Sequence, residues 1–129
     1  MENERLKATL DDGLYEAYGA PIYVYTRAQA IADGVLIDVS AMAKEAGFKY
    51  PAAITEAVFN TLSDVEGKAG QSFSGRLWDV LNVMRHAKPE GDRVYFTVLV
   101  SGRKYELYAV CGPGDTEAPV LTIMEQGED

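Results

Sequence analysis

Residues 93–111, RVYFTVLVSGRKYELYAVC, constrain the fold more than any other stretch of this chain. Two runs rich in β-branched and aromatic residues flank Gly102-Arg103, a pair suited to a two-residue hairpin turn with glycine first. Pairing Ser101 with Lys104 sets Val100 opposite Tyr105, Val98 opposite Leu107, Phe96 opposite Ala109 and Val94 opposite Cys111. Those apolar residues then share one face, and a slip of one residue would send them to the other. The second face carries Tyr95, Thr97, Leu99, Glu106, Tyr108 and Val110. It is mixed rather than polar, so it calls for a cover: the N-terminal strand region or a second subunit.

The segment AVCGPGD, 109–115, follows directly and holds the chain's one cysteine. Pro113-Gly114 suits a type II turn, with glycine where φ must be positive. Pro119 fits a strand start, and VLTIM, 120–124, reads as a third strand. Cys111 is then the last inward residue of its strand, a small hydrophobe at a corner. A nucleophilic pair with His86, the lone histidine, would need the two side by side. A phosphate loop would need its glycines between a strand and a helix. One cysteine and one histidine are too few for an ordinary zinc site. Asp11-Asp12 and Asp33/Asp38 are carboxylate pairs of the kind that bind a metal or act as acid and base, but turn and cap roles explain Asp33 and Asp38, and solvated carboxylates are the default. No catalytic, cofactor-binding or metal-binding set is expected.

Upstream, the pattern turns helical. Leu6, Leu10 and Leu14 form one stripe over 3–18, and IYVY at 22–25 reads as a short strand. Thr26 and Gln29 have capping-box spacing, which predicts a helix over 27–33 ending at Gly34. VLIDV is a strand or extended link. Ser40 caps a short helix that Gly47 stops. Pro51 at a first helical position predicts a helix over 51–62. Ser74 caps a helix through 88, with Leu77, Leu81 and Met84 as its core stripe, widened by Trp78, Val80 and Val83. The expected fold is α+β: a C-terminal three-stranded antiparallel meander, helices packed on one face, and an added N-terminal strand. One domain spans 1–129, with an acidic helical extension at 1–18 and a frayed acidic tail at 125–129.

Charge narrows the partners. The formal net charge is −8 over 129 residues, a field that repels nucleic acid unless a local patch overcomes it. Residues 68–104 hold seven bases against three acids. Arg76, Arg85, Lys88, Arg93, Arg103 and Lys104 are the candidate patch for single-stranded nucleic acid. Tyr15, Tyr18, Tyr23, Tyr25, Tyr95 and Tyr108 are candidate interface residues, because tyrosine buries a ring while keeping its hydroxyl wet. The N-terminal segment lacks an apolar core of signal-peptide type and no run is long enough to span a bilayer. With one cysteine, this predicts a reducing cytoplasm.

YTRAQAIADGVLIDVSAMAKEAGFKYPAAIT, GRLWDVLNVMR and AVCGPGDTEAPVLTIMEQGED together resemble a family of small proteins from bacterial genomes, plasmids and phages. That family carries only a label of unknown function. The resemblance runs over about residues 23–129, with the 1–18 helix outside it. It implies a prokaryotic cytoplasmic setting and an accessory role on mobile DNA, and it transfers no activity, cofactor or catalytic residue. The expected function is a non-enzymatic accessory or adaptor protein acting by protein–protein contact, with a homodimer among the candidate partners. The alternative is a single-stranded nucleic-acid binder using the 76–104 bases.

Overall fold

The computed structural model describes residues 25–65 and 70–128. Among them are helices α1 (Arg27–Ala32), α2 (Ser40–Glu45), α3 (Glu56–Ser63) and α4 (Phe73–His86). The strands are β1 (Leu36–Asp38), β2 (Ala52–Thr55), β3 (Pro89–Glu90), β4 (Arg93–Val100), β5 (Arg103–Pro113) and β6 (Pro119–Glu125). All six strands form one sheet in the order β1-β2-β6-β5-β4-β3. Only β2 and β6 run parallel; every other pair is antiparallel. The class is α+β, but the sheet is mixed and larger than a three-stranded meander.

The β4–β5 hairpin forms with its faces as expected and its turn elsewhere. Val100 pairs with Arg103, so Ser101-Gly102 is the turn, not Gly102-Arg103. Both residues have positive φ, +53° and +78°, as in a type I′ turn, whose twist matches that of the strands. The shift is two residues, so each side chain keeps its face. Phe96, Val98, Leu107 and Ala109 enter the core, with Val94, Val100, Tyr105 and Cys111 packed against it.

The expected helix over 51–62 begins instead at Glu56, and 52–55 is strand β2. Pairing on both edges of β2 overrides alanine's helix propensity. The Pro51 carbonyl accepts from the Leu121 amide at 2.8 Å, and Thr55 caps α3 by accepting from the Val58 amide. Helix α4 is capped by Ser72, two residues before the expected Ser74. Ser40 opens α2 from inside rather than capping it, its amide and hydroxyl both donating to Asp38. Gly47 ends α2 at φ +103°, and the Phe48 amide returns to the Ala43 carbonyl, closing a Schellman-type stop.

Past Cys111 the expected type II turn does not form. β5 continues through Pro113, which pairs with Pro119, and Gly114 does not have positive φ. Antiparallel pairing carries Gly112 and Pro113 along as extended backbone, so the reversal falls at 114–118. The tail is also tied down as far as residue 128: the Gln126 amide donates to the Glu106 carbonyl, and the Glu128 carboxylate accepts from the Glu125 amide at 2.7 Å.

Helices lie on both faces. Val39, Ala43, Val58, Leu62, Leu77, Val80, Leu81 and Met84 join Ile54, Leu121 and Ile123 in one core, placing α2, α3 and α4 on the inner face. α1 lies on the other, where its Arg27 reaches Thr122. Of the expected strand over 22–25, residues 22–24 lie outside the described residues, as does the 1–18 helix; Tyr25 is not in a strand.

Candidate interaction surface

The outer face of the sheet is covered at one end and open at the other. Over β2 and β6 the cover is α1, and Ala53, which faces outward beside Thr122, is fully buried. The capping box forms as expected: Thr26 Oγ1 accepts from the Gln29 amide, and Gln29 Oε1 from the Thr26 amide. Arg27 fixes the helix to the sheet, donating to Thr122 Oγ1 and to the Leu121 carbonyl, each at 2.7 Å. Burial lowers its guanidinium pKa, and Asp115 and Asp38 oppose that shift.

Asp115, the aspartate of AVCGPGD, is a second cap for α1. Its carboxylate accepts from the Arg27 and Ala28 amides at 2.7 and 3.0 Å. Asp115→Ala leaves those donors to water and is expected to cost about 1 kcal/mol, read by urea unfolding.

Over β4 the outer face is open, whereas on β5 the C-terminal segment reaches Tyr108. Tyr95 is 43% and Leu99 67% exposed, and Thr97 between them is exposed as well. Tyr108 is buried beneath its neighbours: Tyr95 stacks on its ring with centroids 5.7 Å apart. The Arg93 guanidinium lies 5.2 Å from the same ring's centroid. Its pKa is held above the ordinary value, first by the hydrogen bond with the Tyr95 side chain. The Tyr108 hydroxyl donates to the Glu128 carbonyl at 2.7 Å.

Beside the far end of β4 lies an open hollow of about 690 Å³, walled by Leu99, Ser101 and Gly102 on one side and Trp78 and Asp79 of α4 on the other. Trp78 is 41% exposed and Val83 37%, so both stand outside the core stripe they were expected to widen. At its base is Arg76, 6% exposed. Its Nη1 donates to the carbonyls of Thr61, Leu62 and Asp64 at 3.1, 3.5 and 2.8 Å. Its Nε donates to Gln71 Oε1, and its Nη2 to Ser101 Oγ at 2.7 Å. This arginine closes the end of α3 and ties it to the serine of the β4–β5 turn.

The six bases do not converge. Arg76 is inside the fold. Arg85 and Lys88 are exposed at the end of α4 and beyond it, where Arg85 lies against Gly47. Arg93 opens β4, whereas Arg103 and Lys104 open β5 at the other end of the hairpin. That separation is roughly 24 Å at about 3.4 Å per residue. Of the six tyrosines, Tyr15, Tyr18 and Tyr23 lie outside the described residues. Tyr25 is exposed and donates to Asp33 at 2.7 Å, on the α1 side. Tyr95 and Tyr108 are brought together.

A polar cluster ties α3 to the end of β6. Glu125 Oε2 accepts from the Tyr105 hydroxyl and, at 3.5 Å, from Thr61 Oγ1. Glu128 Oε2 accepts from Thr55 Oγ1 at 3.0 Å. Burial, followed by the bond to Glu125, pushes the Tyr105 phenol well above its ordinary range. The folded state therefore keeps this proton where the unfolded chain releases it. Stability from Tyr105 is complete below about pH 10 and is lost as pH rises through the folded value. Tyr105→Phe is expected to flatten the decline of stability between about pH 10 and 11.5, measured by urea unfolding.

Cys111 is half-buried and faces the core side, lining a small apolar cavity of about 160 Å³ with Phe48, Met84, Val94 and Leu121. His86 is exposed, does not line that cavity, and engages the Asn82 carbonyl through Nδ1 at 2.8 Å. The described residues contain no group of three or more His, Cys, Asp or Glu able to hold a metal ion. Asp11 and Asp12 lie outside the described residues. No described helix is long and apolar enough to cross a membrane.

The fold and its open half-face define an α+β protein built on a mixed six-stranded sheet, one end of whose outer surface is left uncovered. The chain belongs to a family of unknown function, DUF6573, whose model matches residues 13–129. No curated protein and no solved structure matches it. Leu99 and Trp78 were the surface residues hardest to anticipate. Leu99 carried a signal, since strand alternation places it outward; Trp78 carried none, being one apolar residue among several on α4.

Proposed function

We propose that this protein is a non-enzymatic accessory protein that acts by contact with a protein partner, through the outer face of β4 and β5. The observation that supports this is the cover of the outer face. α1 buries Ala53 at one end, while Tyr95 and Leu99 stay exposed at the other beside Arg93 and Lys104. Exposed aromatic and aliphatic side chains rimmed by charge are the composition of interface centres. A bacterial cytoplasm and a mobile element are the setting we infer from the sequence resemblance.

Single-stranded nucleic acid is the weaker reading. A strand-tracking groove needs bases in line, and here one arginine is buried and the rest are divided between the two ends of the hairpin.

The test is site-specific photocrosslinking in the native host. A photoreactive residue at Leu99 is expected to capture a defined partner, and one at exposed Lys44 on α2 is not. Leu99→Lys should reduce co-purification of that partner at least tenfold. Equal capture from positions 99 and 44, or none from either, overturns the reading.

A further inference from the structure

We infer that the apolar cavity at Cys111 is a binding site for a free amino acid with a leucine-sized apolar side chain. It lies on the core side of the sheet, so it is independent of the protein-contact reading. The cavity, about 160 Å³, sits between the end of α4 and the neighbouring ends of β4 and β5. Met84, Ala109 and Leu121 form its buried wall, and Phe48, Val94 and Cys111 its partly buried one. An apolar cavity of about 150 Å³ takes up a group the size of benzene. A leucine side chain fits within that size, and the polarisable sulfurs of Met84 and Cys111 adapt to its branched end.

Two opposite charges, Arg85 and Asp92, line the same cavity. Both are exposed. Neither side chain is hydrogen-bonded or ion-paired to the other or to any other described residue. Each is positioned by other means. The Arg85 guanidinium lies against the backbone of Gly47, where a Cβ would stand 2.6 Å from Nε and 2.9 Å from Cζ. The Asp92 carbonyl accepts from the Cys111 amide at 2.8 Å, which fixes Asp92 beside the cysteine. The result is an apolar hole with one anion-binding and one cation-binding group on its lining. An apolar amino acid matches all three: its carboxylate meets the Arg85 fork, its ammonium meets Asp92, and its side chain fills the hole. Ala87, the C-cap of α4, also lines the cavity, and the carbonyl end of a helix favours the ammonium pole. The surrounding charges do not upset this match. Lys88 and Glu90 do not line the cavity and have opposite signs, and Arg93 stands over Tyr108 on the outer face. The ligand has no net charge, so the −8 of the chain does not repel it. A fatty acid or an alkylamine would leave one of the two charges unmatched, and a peptide loses one pole to its amide bond.

The test uses the full chain, labelled with nitrogen-15, and four small molecules: L-leucine, L-leucinamide, isocaproate and L-alanine. L-leucine is expected to shift the Val94, Ala109 and Cys111 amides and to slow alkylation of Cys111 by iodoacetamide. Leucinamide lacks the carboxylate, isocaproate lacks the ammonium, and alanine keeps both poles without the side chain. Each should bind at least tenfold more weakly than leucine. Crossed variants then assign the poles. Arg85→Gln should weaken leucine at least tenfold and leave leucinamide unchanged. Asp92→Asn should weaken leucine at least tenfold and leave isocaproate unchanged. Both positions are exposed, and the analogues ask the same question of unaltered protein. No shift of these amides at about 20 mM leucine, well above the dissociation constant expected for a ligand of this size, overturns the site. So does alanine binding as well as leucine. Leucinamide and isocaproate binding as well as leucine would overturn the amino acid as ligand. A variant that weakens every ligand alike would overturn the role given to that residue.

Discussion

Arg76→Ala is expected to lower stability by about 4 kcal/mol, the largest loss from any single polar side chain in the described fold. The guanidinium bonds to the end of α3, to Gln71 and to the hairpin turn at once. Removing it strands the buried Leu62 carbonyl and the part-buried carbonyls of Thr61 and Asp64, and a buried group costs about 1–3 kcal/mol when water cannot replace the donor. It also removes the bond that ties the Ser101 hydroxyl of the hairpin turn to the helix. Arg76→Lys should recover only part of this, because one ammonium cannot span the planar fork's partners. Urea unfolding reads the effect as a lower midpoint with unchanged slope. A loss under about 1 kcal/mol would show that water enters and satisfies the helix end.

Leu107→Ala is expected to cost about 3–4 kcal/mol. Leu107 is fully buried in β5, between β4 and β6, where neighbours on both strands prevent collapse around the void. Leu99→Ala, on the exposed outer face of β4, is the internal comparison and should fall within about 0.5 kcal/mol of the parent. The same truncation on two adjacent strands thus separates core from surface. Comparable losses at the two positions would mean that the outer face is covered in solution.

What could be read from the residues was local. The inward set of the hairpin survived a two-residue error in register because side chains alternate with period two. The capping box at Thr26 and the stop at Gly47 formed where short-range geometry specifies them. β2 was missed because Ala52 and Ala53 follow Pro51, a run that favours helix until β1 and β6 bind it from either side. Its parallel partner lies some seventy residues away, and no local pattern announces such a pairing. Arg76 was misplaced for a similar reason. A lone arginine on a helix reads as solvated, and only the approach of α3 and the turn at Ser101 draws it inward. The open half-face was legible as a mixed strand surface, but α1's position over its other half was not.

β6 is the last of the six strands along the chain, and it lies between β2 and β5. During synthesis the β1–β2 unit therefore waits with one edge unsatisfied until β6 leaves the ribosome, whereas the β4–β5 hairpin can close by itself. Translation that stalls before residue 119 would yield a nascent chain whose two halves cannot join, a natural substrate for chaperones and proteases.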